Sequence, residues 1–185
     1  LQAEQNLAVV YVTHRLEDAF AIGHRLAILA DGEVQQTGRI DDVFRWPAND
    51  QVAQIMGLRN LLRARVLAAT PERLLLDWAG LQVEAPPQPA AVGVEVTAYI
   101  RPEDIKILYP DRPLMGAVQH NQVSGVILDQ RASASLHRWR IVLSNGHEIE
   151  LHAQVHAYEA LSLQAGQPVQ VSLRREAVVV LRPAV

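Results

Sequence analysis

Hydrophobic and polar positions change their rhythm once along this chain. Leu7 to Thr13 is an unbroken apolar, largely β-branched run, the pattern of a parallel strand covered on both faces, and it ends on His14. Glu17 to Ile22 reads as a short helix with Gly23 as its stop. Leu26–Leu29 and Glu33–Gln36 flank Asp31-Gly32, a strong hairpin signal. Asp41-Asp42 suit the start of a helix over Val43–Arg45, since carboxylates favour the positive end of a helix dipole. After Pro47, Val52, Ile55 and Met56 fall at helical spacing, and Gly57 closes the segment. From Leu58 onward short apolar alternations take over, broken by Pro71, Gly80, Pro86-Pro87, Gly93, Pro110, Gly146 and Gly166, as in a small all-β barrel or sandwich.

This second region repeats itself. Asn60-Leu61-Leu62-Arg63-Ala64-Arg65-Val66 aligns with Asn121-Gln122-Val123-Ser124-Gly125-Val126-Ile127. Gly93 to Arg101 aligns in turn with Gly166 to Arg174, at a wider offset. The second copy is therefore longer between the two matched blocks, with the extra length expected within Asn145 to Leu163, and two similar β lobes are predicted.

Composition narrows the class. The 185 residues are 49% hydrophobic and 20% charged, the balance of a globular protein rather than a disordered one. A net charge of -3 gives no long-range attraction to nucleic acid. With no cysteine there is neither a disulfide framework nor a thiolate metal site. No apolar run approaches the roughly 18 to 20 residues that span a bilayer.

The series Val9-Val10-Tyr11-Val12-Thr13-His14, Arg15-Leu16-Glu17-Asp18-Ala19, the Asp31-Gly32 hairpin, Thr37-Gly38 and Trp46-Pro47-Ala48-Asn49 resembles the final part of the ATP-binding domain of ABC transporters. The resemblance makes His14 the switch histidine, a catalytic-site residue that faces the γ-phosphate of the nucleotide. No G-x-x-x-x-G-K-[ST] loop occurs, nor a signature loop or an apolar strand ending in Asp-Glu, so ATP and magnesium are expected as cofactors of a longer subunit only. This chain by itself is expected to hold no cofactor and to be inactive. Beginning at Leu1, it reads as the C-terminal portion of that subunit.

The β region is similar to the oligonucleotide-binding-like (OB-like) barrels appended to importer ATPases, the TOBE or molybdopterin-binding-like (MOP-like) fold. Ile100-Arg101-Pro102-Glu103-Asp104-Ile105 is the phrase that carries the likeness, and Asn121 to Leu181 is nearest the molybdate-binding version. By this resemblance the relatives' oxyanion site falls at the start of the second lobe, at His120, Asn121 and Ser124. There the sequence departs from the family, since Val118-Gln119-His120-Asn121 replaces a Ser-x-Arg/Lys-Asn pattern and a hydroxyl is lost.

The remaining candidates read as structural. His147, His152 and His156 have no fourth ligand fixed by spacing, so no metal site is expected. Arg101 and Glu103 suit the exit of a strand at the lobe junction, Asn60 suits a loop tie, and Trp46 suits linker packing.

The fold class expected is α+β overall: a partial α/β nucleotide-binding-domain remnant over 1–45, a linker helix over 46–57, and an all-β two-lobed OB-like (TOBE/MOP-like) domain over 58–185 with lobes about 58–110 and 118–185. The function expected is that of an ABC importer ATPase subunit for molybdate, then sulfate, with iron, polyamine and sugar importers as alternatives. Expected partners are a second copy, transmembrane permease subunits and an oxyanion ligand, with no nucleic acid. The location implied is the cytoplasmic face of the cell membrane. A stand-alone oxyanion sensor is the rival from another class.

Overall fold

The structure is a computed structural model that describes residues 8–114, 116–133 and 135–181. It divides into two compact units, Leu1–Met56 and Gly57–Val185.

In the first unit, helix α1 (Leu16–Ile22) precedes a hairpin of β1 (Arg25–Ala30) and β2 (Glu33–Arg39), followed by α2 (Ile40–Arg45) and α3 (Asp50–Ile55). Asp31 and Gly32 take φ of 51° and 82°, the left-handed pair that a two-residue hairpin turn requires. Asn49 Oδ1 caps α3 by accepting from the Val52 amide at 2.8 Å. Gly23 ends α1 as the sequence predicts, but for a steric reason. Its φ is -84°, and a Cβ there would lie 2.7 Å from the Ala19 carbonyl oxygen and 2.9 Å from Ile40 Cδ1. Phe20 and Phe44 meet edge to face with centroids 5.3 Å apart.

The strand expected over Leu7–Thr13 is not formed across its described residues, 8–13. A parallel strand needs neighbours to take its N–H and C=O groups, and every ladder among the described residues is antiparallel and lies elsewhere. Val10 and Val12 stand 92% and 90% exposed, so the apolar run lacks the cover its composition calls for. The α/β pattern of a nucleotide-binding remnant is therefore not shown by these residues.

The second unit is built from two five-stranded sheets. The first comprises β3 (Leu61–Ala69), β4 (Leu74–Trp78), β5 (Leu81–Ala85) and β6 (Glu95–Tyr99); the second comprises β8 (Gln122–Ala132), β9 (Leu136–Leu143), β10 (Glu148–Gln154) and β11 (Pro168–Leu173). Alternation of buried and exposed positions over Leu62–Leu67 of β3 and Gln122–Leu128 of β8 turns one face of each sheet inward. Leu62, Leu76, Ile127, Trp139, Ile141 and Leu173 form part of one continuous core.

Each sheet takes its fifth strand from the other half of the chain. β7 (Ile105–Ile107) follows β6 in sequence but pairs with β11, and β12 (Val179–Val180) follows β11 but pairs with β6. The sheet orders are β12-β6-β3-β4-β5 and β10-β9-β8-β11-β7. Each of the expected lobes, about 58–110 and 118–185, thus holds one short strand that pairs in the other's sheet. The chain crosses after Arg101 and again after Arg174, because each 3-10 turn that follows, Pro102–Asp104 and Arg175–Ala177, redirects it onto the opposite sheet.

The repeat survives in the backbone. Val66 and Ile127, equivalent in the two copies, each accept from a left-handed glycine at 2.8 Å, Gly93 and Gly166 respectively. Both copies carry a register shift at the next residue, Leu67 and Leu128, a β-bulge that tightens the strand's twist. Gly80 and Gly146 occupy the equivalent turns β4–β5 and β9–β10. Their separation is wider than that of Asn60 from Asn121 and narrower than that of Gly93 from Gly166, so the extra length is split. Part lies in the longer β8–β9 hairpin, ahead of the expected Asn145–Leu163, and part in the connection from β10 to β11.

Gly125 stands where the first copy has Ala64, and a Cβ on it would lie 2.7 Å from Ile141 Cγ2 and 2.8 Å from the Val142 carbonyl oxygen. Gly125→Ala is expected to destabilise the protein by about 1–3 kcal/mol through this overpacking. Urea unfolding checks it, and an unchanged midpoint would mean that β9 yields freely.

Candidate functional site

The two asparagines that open the lobes are the structural centre of the β unit. Both adopt left-handed backbone, φ 56° at Asn60 and 49° at Asn121, a conformation that asparagine tolerates better than most residues. Each amide then reaches across to the edge strand of the other half. Asn121 Oδ1 accepts from the Glu84 N–H at 2.7 Å, and its Nδ2 donates to the Glu84 and Leu173 carbonyls, both at 2.8 Å. Asn60 Oδ1 accepts from the Glu150 N–H at 2.7 Å, and its Nδ2 donates to the Glu150 carbonyl at 2.8 Å and the Ile100 carbonyl at 3.3 Å. An asparagine amide has two N–H donors, so both of these are spent. The free edges of β5 and β10 are thereby sealed by a side chain acting as a one-residue strand.

The carboxylates of these two bridged residues are also engaged. Glu84 pairs with Arg73, and its Oε2 lies 3.3 Å from His120 Nδ1 and 3.8 Å from Arg175 Nη1. Glu150 Oε1 lies 2.5 Å from His152 Nε2. Of the three residues expected at an oxyanion site, the structure brings His120 and Asn121 together against Glu84. Ser124 faces elsewhere, accepting from Gln170 Nε2 at 2.7 Å in an open groove of about 460 Å³. Arg112 lies over the Tyr109 ring in that groove, 3.9 Å from its centroid. Glu84 had no sequence signal of its own. Only its place, equivalent to Glu150 in the repeat, could have singled it out.

A buried carboxylate marks the place where the two crossing segments leave their sheets. Asp104 Oδ1 accepts from Arg174 Nη1 at 3.2 Å, and its Oδ2 lies 2.6 Å from Arg101 Nη2 as an ion pair outside hydrogen-bond alignment. Arg101 and Arg174 are the equivalent residues of the two copies, so one carboxylate serves both. Glu103 lies 3.7 Å from Arg101 on the outer side. Burial is the main cause that pushes the Tyr158 hydroxyl up from its ordinary range, against the Ile107 N–H that it accepts at 3.1 Å. Tyr158 thus stays neutral and ties β7 to the opposite half.

The other histidines sit apart. His147 stacks on Trp78 with centroids 5.1 Å apart, and His156 pairs with Glu159 at 2.7 Å. Among the described residues no group of three or more His, Cys, Asp or Glu side chains could hold a metal ion. His14 occupies an exposed bend between residues 8–13 and α1, and its side chain makes no hydrogen bond with the described residues.

The second unit is thus mostly β, two OB-type sheets with an internal repeat. Residues 98–181 match the TOBE domain family. The chain is 30% identical to the spermidine/putrescine import ATP-binding protein PotA of Ruegeria pomeroyi over 182 residues, 98% of this chain and 48% of that protein. It is 30% identical to PotA of Marinobacter nauticus, over 93% of this chain and 45% of that protein. It therefore spans less than half the length of these relatives. Among solved structures it is similar to the cytoplasmic molybdate-binding protein ModG, crystallised with molybdate bound. The TM-score is 0.59 at 18% identity, covering 68% of this chain and 97% of ModG, a likeness of fold. Residues 98–181 thus match a TOBE domain, and the chain is similar to ATP-binding subunits of ABC importers.

Proposed function

We propose that the chain is the C-terminal part of the ATP-hydrolysing subunit of an ABC importer, in which residues 1–45 close the nucleotide-binding domain, 46–57 link, and 58–185 form a regulatory β domain. The observation that supports this most is the reach of the PotA similarity, which runs over 98% of the chain and so includes both structural units. Its partners on this reading are a second ATPase subunit and transmembrane permease subunits at the inner face of the membrane, and its cofactors, ATP and magnesium, belong to the whole subunit. Among the described residues no helix is long and apolar enough to cross a membrane.

For the cargo, polyamine import is favoured over the molybdate first expected, because the relatives aligned over nearly the whole chain carry polyamine names, whereas ModG shares the fold at 18% identity. The second reading, a domain that binds molybdate or a related oxyanion through His120, Asn121 and Ser124, has in its favour only that His120 and Asn121 meet at one seam, where Glu84 already takes both and the Asn121 N–H groups are committed.

The test of the first reading is His14→Ala in the full-length subunit. Loss of one preorganised donor at a developing charge lowers turnover by about 100-fold or more, so ATPase activity is expected to fall by that factor with folding intact. Near-normal turnover would leave His14 without a catalytic role. Transport of labelled spermidine and of molybdate by the assembled importer separates the two cargo classes.

A further inference from the structure

Three side chains from three separate stretches converge on the Glu84 carboxylate. Arg73 comes from the β3–β4 turn, His120 from the residues before β8, and Arg175 from the 3-10 turn after β11. The Glu84 side chain is 19% exposed, and its backbone is held on both sides by the Asn121 amide, so the carboxylate is fixed in place. Arg175 is shared with Glu176, 3.2 Å from its Nη2. At the equivalent seam Glu150 holds His152, and among the described residues no arginine comes within ion-pair distance of it.

We propose that Glu84 is the resident anion of a donor cradle made by Arg73, His120 and Arg175, and that it excludes free oxyanions from the seam at the start of the second lobe. Two guanidinium groups and an imidazole around one point are the donor set that a tetrahedral oxyanion or a small carboxylate needs. A carboxylate tethered by its own backbone meets these donors at a high effective concentration, which a dissolved anion must overcome. A second anion beside it would suffer like-charge repulsion in a half-buried setting, where screening by water is weak. Asn121 cannot help such a ligand without releasing β5, because both of its N–H groups are committed. The inference concerns the β unit alone and stands or falls separately from the transport reading.

The test uses the whole chain, with thermal unfolding and calorimetry in sodium molybdate, sodium sulfate or sodium acetate against sodium chloride at matched ionic strength. The wild-type midpoint is expected to differ among the four salts only by their general exclusion from the protein surface. Glu84→Ala is expected to lower the midpoint in chloride and to regain it in the oxyanions, with anion affinity at least about tenfold above that of wild type. Glu84→Gln keeps the side chain's shape while removing its charge, and carries the same expectation if the alanine variant does not fold. Adding Arg175→Ala to either variant should abolish the oxyanion response, which a general salt effect would leave unchanged. Micromolar binding of molybdate by the wild type would overturn the proposal, as would a Glu84 variant that responds to oxyanions no more than to chloride, or whose response survives the loss of Arg175.

Discussion

Ending the chain after Ala177 is expected to unfold the sheet of the first lobe while leaving β8 and β9 of the second the better protected part. The deletion removes β12, whose Val179 and Val180 pair with Tyr99 and Ala98 of β6, and the Leu181 amide that donates to the Thr97 carbonyl at 2.8 Å. It also removes Val178 and Leu181, 2% and 4% exposed. Losing one large core side chain costs about 2–5 kcal/mol, a large share of the roughly 5–15 kcal/mol that holds a typical domain together. Hydrogen exchange resolves the location: amides of β3 and β6 should exchange far faster, and those of β8 and β9 should change least. Loss concentrated in β8 and β11 instead would mean that the exchanged pairing is wrong.

Asn121→Ala is expected to destabilise the protein by about 3 kcal/mol, since it strands the Glu84 N–H and two carbonyls in a part-buried seam, at about 1–3 kcal/mol for each group left without a partner where water cannot reach it. It also places alanine at a φ of 49°. Asn121→Gly relieves the backbone and still lacks the amide, so it should recover only the smaller part of the loss in denaturant unfolding. Full recovery with glycine would assign the whole effect to backbone strain. Asn60→Ala should behave alike, and the double variant should fall short of the sum if the two amides seal one cooperative unit.

Local chemistry was legible in the sequence where a residue type has few conformational choices. Asp31-Gly32 declared its turn, and Asn60 with Asn121 and Gly93 with Gly166 declared the duplication, because left-handed positions select these residues. Partner choice was not legible. Ile105-Lys106-Ile107 alternates as any edge strand does, and a period of two says which face is buried without saying which sheet supplies the hydrogen bonds. The run into Thr13 failed as a strand for the same reason in reverse, having the composition of a strand and no ladder to join. At the candidate site the sequence pointed to His120 and Asn121 but not to Glu84, since a glutamate in an alternating strand is ordinarily a solvated residue.

The exchange of β7 and β12 also bears on how the polypeptide is made. Domains commonly fold in order as they leave the ribosome, N-terminal part first. Here β3 to β6 emerge early, but their sheet stays incomplete until residues 178–181 follow, after the whole of the second lobe's β8 to β11 has been made. During that interval the uncovered side of β6 is open to strands of neighbouring nascent chains, so crowding on one messenger RNA should favour mispaired products that a slower, dilute synthesis would avoid.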